Sequence, residues 1–176
     1  KGLEAKLFVR PSHQQSRGSS GKAISESLLS LAGELRIGGQ EQMYLEGQAS
    51  LCIPTENGGV KVITSNQNPT EAQKLIAKIL HVPMNMVDVE VRRMGGAFGG
   101  KETNANQWGC IAALLAAKTK RPVKIRLARR DDFIVTGKRH PFLAKYEVGF
   151  DGEGQINGLD MELSADSVSY THLTLP

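Results

Sequence analysis

Between Asn68 and Leu80 the apolar residues Leu75, Ile76, Ile79 and Leu80 fall at helical spacing. The flanking residues agree: Asn68 suits a cap, Pro69 the first helical position, Glu71 closes a capping box, and Pro83 blocks continuation. The pattern predicts a helix with one apolar face over that span. A second helix is predicted over Asn104 to Lys118, where Trp108, Ile111, Leu114 and Leu115 stand among alanines and little of the circumference is polar. Such a helix is expected to be buried on most sides. A shorter one is predicted over Ala23 to Leu31.

Period-two alternation marks the strands. Met43, Leu45, Gly47, Ala49 and Leu51 predict one. Glu56-Asn57-Gly58-Gly59 is a hairpin signal, because Asn-Gly supplies positive φ, and Val60 to Thr64 is the returning strand. Further strands are predicted over Val87 to Val91, Val123 to Leu127, Phe142 to Phe150 and Gln155 to Ser164, the last two joined by Asp151-Gly152-Glu153-Gly154. Lys1 to Val9 ends an extended stretch, and Arg10 to Lys22 has the polar composition of a surface connection. The expectation is an α+β fold with mixed strands and two main helices.

Composition narrows the function classes. The 176 residues carry 22 Lys and Arg against 18 Asp and Glu, a net charge of +4. That excludes a polybasic tail or an acidic disordered chain as the main theme. No apolar run approaches membrane-spanning length and no signal-peptide pattern is present, so a cytoplasmic protein without a membrane partner is expected. Cys52 and Cys110 lie far apart in apolar company, which predicts buried free thiols rather than a zinc site. Lys118 to Arg139 holds nine basic and two acidic residues, a local +7. Ile125, Leu127 and Phe133 interleave with those charges without an aromatic stacking series, so a solvated face or subunit contact is favoured over nucleic acid.

Glycine is the informative excess: 19 residues, with Gly95, Gly96, Gly99 and Gly100 inside one loop between a predicted strand and helix. Clustered glycine has two ordinary uses, a tight crossing of chains or a backbone that approaches a ligand closely, and both stay open for this loop. Gly95 to Lys101 also matches a phosphate-binding P-loop except at its last position. There Glu102 stands where a magnesium-binding hydroxyl belongs, and its charge opposes a polyphosphate.

Four ordered blocks carry a more specific signal. They are Gly38-Gly39-Gln40-Glu41-Gln42-Met43-Tyr44-Leu45-Glu46, Ser65-Asn66-Gln67-Asn68-Pro69, Arg93-Met94-Gly95-Gly96-Ala97-Phe98-Gly99-Gly100-Lys101-Glu102-Thr103 and Gly137-Lys138-Arg139-His140-Pro141-Phe142. In order and spacing they resemble the molybdenum-binding subunit of the xanthine dehydrogenase and aldehyde oxidase family of molybdenum hydroxylases. The likeness covers about residues 30 to 165. It implies the N-terminal part of a molybdopterin-binding domain and oxidative hydroxylation of purines at a molybdenum–pterin centre, the pterin alone or as a dinucleotide. Electrons would leave through [2Fe-2S] clusters to FAD and NAD on partner subunits or domains, within a higher oligomer. Gln67 matches the glutamine whose amide hydrogen-bonds an oxygen ligand of molybdenum, and Phe98 and Gly99 match the loop whose backbone nears the metal. Glu102 matches the carboxylate that binds the purine and stabilises charge developing on its ring, which favours a purine over the aldehydes of related oxidases. Ala97 departs from the glycine more usual in that loop.

The resemblance also sets expectations about extent. Residues 1–30 are expected to link a preceding hammerhead-like domain, and 31–167 to form a partial molybdopterin-binding domain. The ending Val168 to Pro176 resembles translated library-adapter sequence. The family's general-base glutamate and substrate-binding arginine block have no counterpart after Phe150, so these residues alone are expected neither to retain molybdenum nor to hydroxylate xanthine.

Overall fold

The computed structural model describes Phe8 and residues 11–166; Lys1 to Val9 apart from Phe8, and the ending from Val168, therefore lie outside the described residues. The fold is α+β, with two sheets and two long helices. Described residues up to Gln40, together with those from His140 onward, form one compact unit, and Glu41–Arg139 form the other.

In the first unit, helix α1 (Ser20–Ser25) lies on an antiparallel sheet of order β1-β6-β7. Strand β1 (Leu29–Ile37) pairs with β6 (Phe142–Phe150) from Leu29 opposite Phe150 to Ile37 opposite Phe142. Strand β7 (Ile156–Ala165) returns after the Asp151–Gly154 turn, where the Asp151 carboxylate accepts from the amides of Glu153 and Gln155. The helix expected to Leu31 ends at Ser25, because nine residues from Leu29 onward pair with β6. Sheet pairing overrides a weak local preference there.

The second unit is built on a sheet of order β4-β3-β2-β5. Strands β2 (Ala49–Pro54) and β3 (Val60–Thr64) form the expected hairpin, Cys52 opposite Val62, closed by the Thr55 amide on the Gly59 carbonyl. Helix α2 (Pro69–Leu80) crosses over to β4 (Val87–Glu90), which runs parallel to β3. Its start is the predicted one: the Asn68 side chain accepts from the Glu71 amide at 3.2 Å. It ends at His81, in the left-handed region, two residues before Pro83. Helix α3 (Asn104–Thr119), strand β5 (Val123–Arg126) and helix α4 (Arg129–Val135) complete the unit.

Its core gathers Cys52, Val60, Val62, Val87, Ala72, Ile76 and Ala77 with Ala112, Ala113 and Ala116. Both cysteines are free; Cys52 is fully buried, and burial pushes its thiol up to about 11. Two sequence expectations are corrected here. Helix α3 buries its small residues, Ala105, Gly109, Ala112, Ala113 and Ala116, while Ile111, Leu114 and Leu115 are exposed. Close approach to the sheet and to α2 selects residues without bulk, so the apolar circumference reflects two faces with different jobs. The alternation from Met43 does not make a strand before Ala49: Met43 and Leu45 face solvent while Tyr44 and Gln48 are buried. Helix α4 lies inside the basic segment, which as a whole presents Lys118, Lys120, Arg121, Lys124, Arg126 and Arg130 to solvent.

Candidate functional site

The second unit brings three segments together: residues 44–48 before β2, residues 65–68 after β3, and the glycine loop, residues 95–102, before α3. Gln67 is the link between two of them. Its own amide donates to the Lys101 carbonyl at 2.9 Å. Its side-chain Oε1 accepts from the amides of Gly99 at 3.1 Å and Lys101 at 3.2 Å. Two backbone donors on one oxygen fix which end of the carboxamide is which. The donor end, Nε2, is therefore the arm left for a ligand, on a residue that is exposed.

Around it the surface is open. Phe98 is 72% exposed and has φ of +50°, a left-handed conformation that costs a side-chain-bearing residue about 1–2 kcal/mol. Strain of that kind concentrates where a loop has work to do. Gly99 follows at φ +86°, and a Cβ there would meet no atom within 4 Å. Glu102, also exposed, comes directly after Lys101. Of the four residues singled out from the sequence, the structure thus bonds Gln67 to Gly99 and places Phe98 and Glu102 on either side of that contact along one loop.

The glycines divide between the two uses left open above. Gly95 and Gly100 are tight crossings: a Cβ would fall 2.6 Å from the Glu46 Cβ and 2.5 Å from the Tyr44 ring, respectively. Gly99 serves backbone conformation beneath open space. Gly100→Ala is therefore expected to destabilise the unit by about 1–3 kcal/mol through overpacking. Gly99→Ala should cost only about 1 kcal/mol, from the left-handed angle alone. Comparing unfolding midpoints of the two variants checks the order.

Beneath the loop lies a polar base that sequence reasoning missed. Lys101 is fully buried, and its ammonium contacts Glu46 Oε2 at 3.0 Å and Ser65 Oγ at 2.8 Å, 4.9 Å from the centre of the Tyr44 ring. The Lys101 ammonium is thus committed inside the protein, which removes the P-loop reading. The Tyr44 hydroxyl donates to buried Asp132 of α4 at 2.6 Å, and the same carboxylate accepts from the Gln48 amide at 2.9 Å. Gln48 Nε2 in turn donates to the Gly100 carbonyl at 3.0 Å. Burial, and then the bond to Asp132, raise the Tyr44 hydroxyl above its ordinary value. The only signal for Glu46 and Ser65 was their place in the ordered blocks; Asp132 had none.

Glu46 carries a pH consequence. Burial pushes its carboxyl up, but hydrogen bonds from Ser65, the Gly95 amide and Lys101 outweigh that and hold it below the ordinary 4.5. A depressed carboxyl stabilises the fold above the ordinary value and loses that contribution as pH falls through the folded one. The stability gap between the wild type and Glu46→Gln should be full near neutral pH and narrow steadily below about pH 4.5. Urea unfolding of both across that range tests it.

The face thus offers an amide donor, an open glycine turn, an exposed aromatic and a carboxylate. This set suits hydrogen bonding at the periphery of an oxygen-rich cofactor. Comparison with known proteins identifies the family. Xanthine dehydrogenase of Dictyostelium discoideum is 44% identical over 94% of the chain, and aldehyde oxidase 2 of Macaca fascicularis 39% identical over 88%. The chain spans 12% of the length of each. Aldehyde oxidoreductase from Desulfovibrio gigas shares the fold, with a TM-score of 0.71 at 19% identity over 84% of this chain and 16% of that one. The family model described as molybdopterin cofactor-binding domain matches residues 5–176, and the chain belongs to that family.

Proposed function

We propose that this chain forms one wall of the molybdenum–pterin site of a purine hydroxylase of xanthine dehydrogenase type. The observation that carries the reading is the Gln67 carboxamide, whose oxygen is held by the Gly99 and Lys101 amides so that its Nε2 is left to donate. Bound there, the cofactor supplies the redox chemistry that exchanges a ring C–H for C–OH, with the oxygen taken from water. Gln67 holds its oxygen periphery, and the Phe98–Gly99 turn gives it room. Glu102 binds a ring N–H of the purine and steadies charge developing on the ring, where a placed group is most effective away from water. NAD takes up two electrons and one proton, and a second proton is released, so the overall reaction balances.

Electron transfer to NAD through [2Fe-2S] clusters and FAD belongs to further domains or subunits of the complete enzyme, in a higher oligomer. Within this scheme residues 1–30 link from a preceding domain and 31–167 belong to the cofactor-binding one. The free Cys52 and Cys110 suit a reducing, cytoplasmic setting. The test is the complete enzyme expressed with molybdenum and assayed on a panel of purines, aldehydes and nicotinate. Hypoxanthine or xanthine should drive NAD reduction and give urate; turnover of an aldehyde or nicotinate with purines untouched would overturn the purine assignment.

A further inference from the structure

The two ends of the glycine loop are tied to a single atom. Glu46 Oε2 accepts from the Gly95 amide at 3.0 Å, from the Lys101 ammonium at 3.0 Å and from Ser65 Oγ at 2.6 Å. The Glu46 amide also donates to the Gly95 carbonyl at 3.0 Å, which fixes the first end twice. The second end is fixed by a charge with no exposed surface, and such a charge is strongly held because leaving it unpaired is costly. Between these ends the chain makes the left-handed pair Phe98–Gly99, and the amides that grip Gln67 are those of Gly99 within that pair and of Lys101 two residues on. An ammonium was not needed to fill the space: a methionine side chain has similar length and no desolvation cost. What the cation adds is direction, since it draws Lys101 onto Glu46 and Ser65 at once.

We propose that Lys101 is a positioning residue: clamped with Gly95 on one carboxylate oxygen of Glu46, it sets the loop so that the Gly99 and Lys101 amides hold the Gln67 carbonyl and aim its Nε2 at the cofactor face. This rests on the role given to Gln67 above. It makes Lys101 act through Gln67 and touch neither substrate nor cofactor. Ser65 and Glu46 are its supports: Ser65 comes from the segment that carries Gln67, and Glu46 from the segment before β2.

The test uses the complete enzyme carrying Lys101→Met, Gln67→Glu and both together. Lys101→Met should lower kcat about tenfold with the purine KM little changed, because misplacing a positioned group costs rate rather than uniform binding. Acting through Gln67, it should add nothing to Gln67→Glu, so that the double variant turns over within about twofold of Gln67→Glu alone. Losses that multiply, or an unchanged kcat, would overturn the proposal. Ser65→Ala, which removes one partner and keeps the charge, carries the same cycle if Lys101→Met fails to accumulate. Hydrogen exchange on the cofactor-free enzyme reads the clamp separately: protection of the Gly99 and Lys101 amides should fall about tenfold in Lys101→Met or Ser65→Ala while α2 keeps its own. Unchanged protection would overturn the clamp. Loss of protection in an enzyme with no purine activity would instead unseat the assigned function and leave the clamp standing.

Discussion

Asp132→Ala should be among the most damaging single changes in Glu41–Arg139, at about 3–5 kcal/mol. The carboxylate is fully buried and accepts two hydrogen bonds, from the Tyr44 hydroxyl and the Gln48 amide. Alanine leaves both donors buried without a partner, each at a cost of about 1–3 kcal/mol, and opens a cavity beside them. The one relief at hand has its own cost: among the described residues Gln48 Oε1 has no hydrogen-bond partner, and turning that carboxamide to accept from the Tyr44 hydroxyl would take Nε2 off the Gly100 carbonyl. The damage should therefore travel from Tyr44 to the glycine loop, whose Gly100 rests on the tyrosine ring. Asp132→Asn keeps the volume and one acceptor but sets an N–H₂ against an existing donor, so its cost should be intermediate. Hydrogen exchange of segments 44–48 and 95–101 measures both variants, and an alanine variant within about 1 kcal/mol of wild type would show that Asp132 does not anchor this base.

Asp132 also marks the limit of what the sequence makes legible. Helix α2 can be read completely, because Asn68, Pro69, Glu71 and Pro83 act on their own neighbours and need no tertiary context. The β2–β3 hairpin is legible for the same reason: its turn is local chemistry. Segment 43–48 misleads because its conformation is set from 84 to 88 residues away, where Asp132 draws Tyr44 and Gln48 inward and leaves Met43 and Leu45 outside. Helix α3 misleads in another way, since hydrophobicity alone does not separate residues chosen for smallness from those chosen for apolar surface. Of the proposed site, the ordered blocks and glycine chemistry single out Gln67, Phe98, Gly99 and Glu102. The arrangement of the Gln67 carboxamide is not legible there: only the fold shows that Gln67 gives its oxygen to the loop.

That division of the Gln67 carboxamide makes Gln67→Glu the sharper of two possible substitutions. A carboxylate oxygen accepts from the Gly99 and Lys101 amides as well as the amide oxygen does, so the loop should keep its shape and its hydrogen-exchange protection. The second oxygen cannot donate, and its charge opposes an oxygen-rich ligand. Removing one placed donor costs about 100-fold to 1,000-fold in comparable sites, so kcat of the complete enzyme on the proposed purine substrate should fall by about 100-fold. Gln67→Ala removes acceptor and donor together, so it should add loop loosening to the same catalytic loss. The contrast separates two roles that one side chain combines: equal turnover loss with unequal exchange is the expected pattern. Full activity in Gln67→Glu would mean that the oxygen's grip on the loop is all Gln67 contributes, and that Nε2 faces no partner that matters to the reaction.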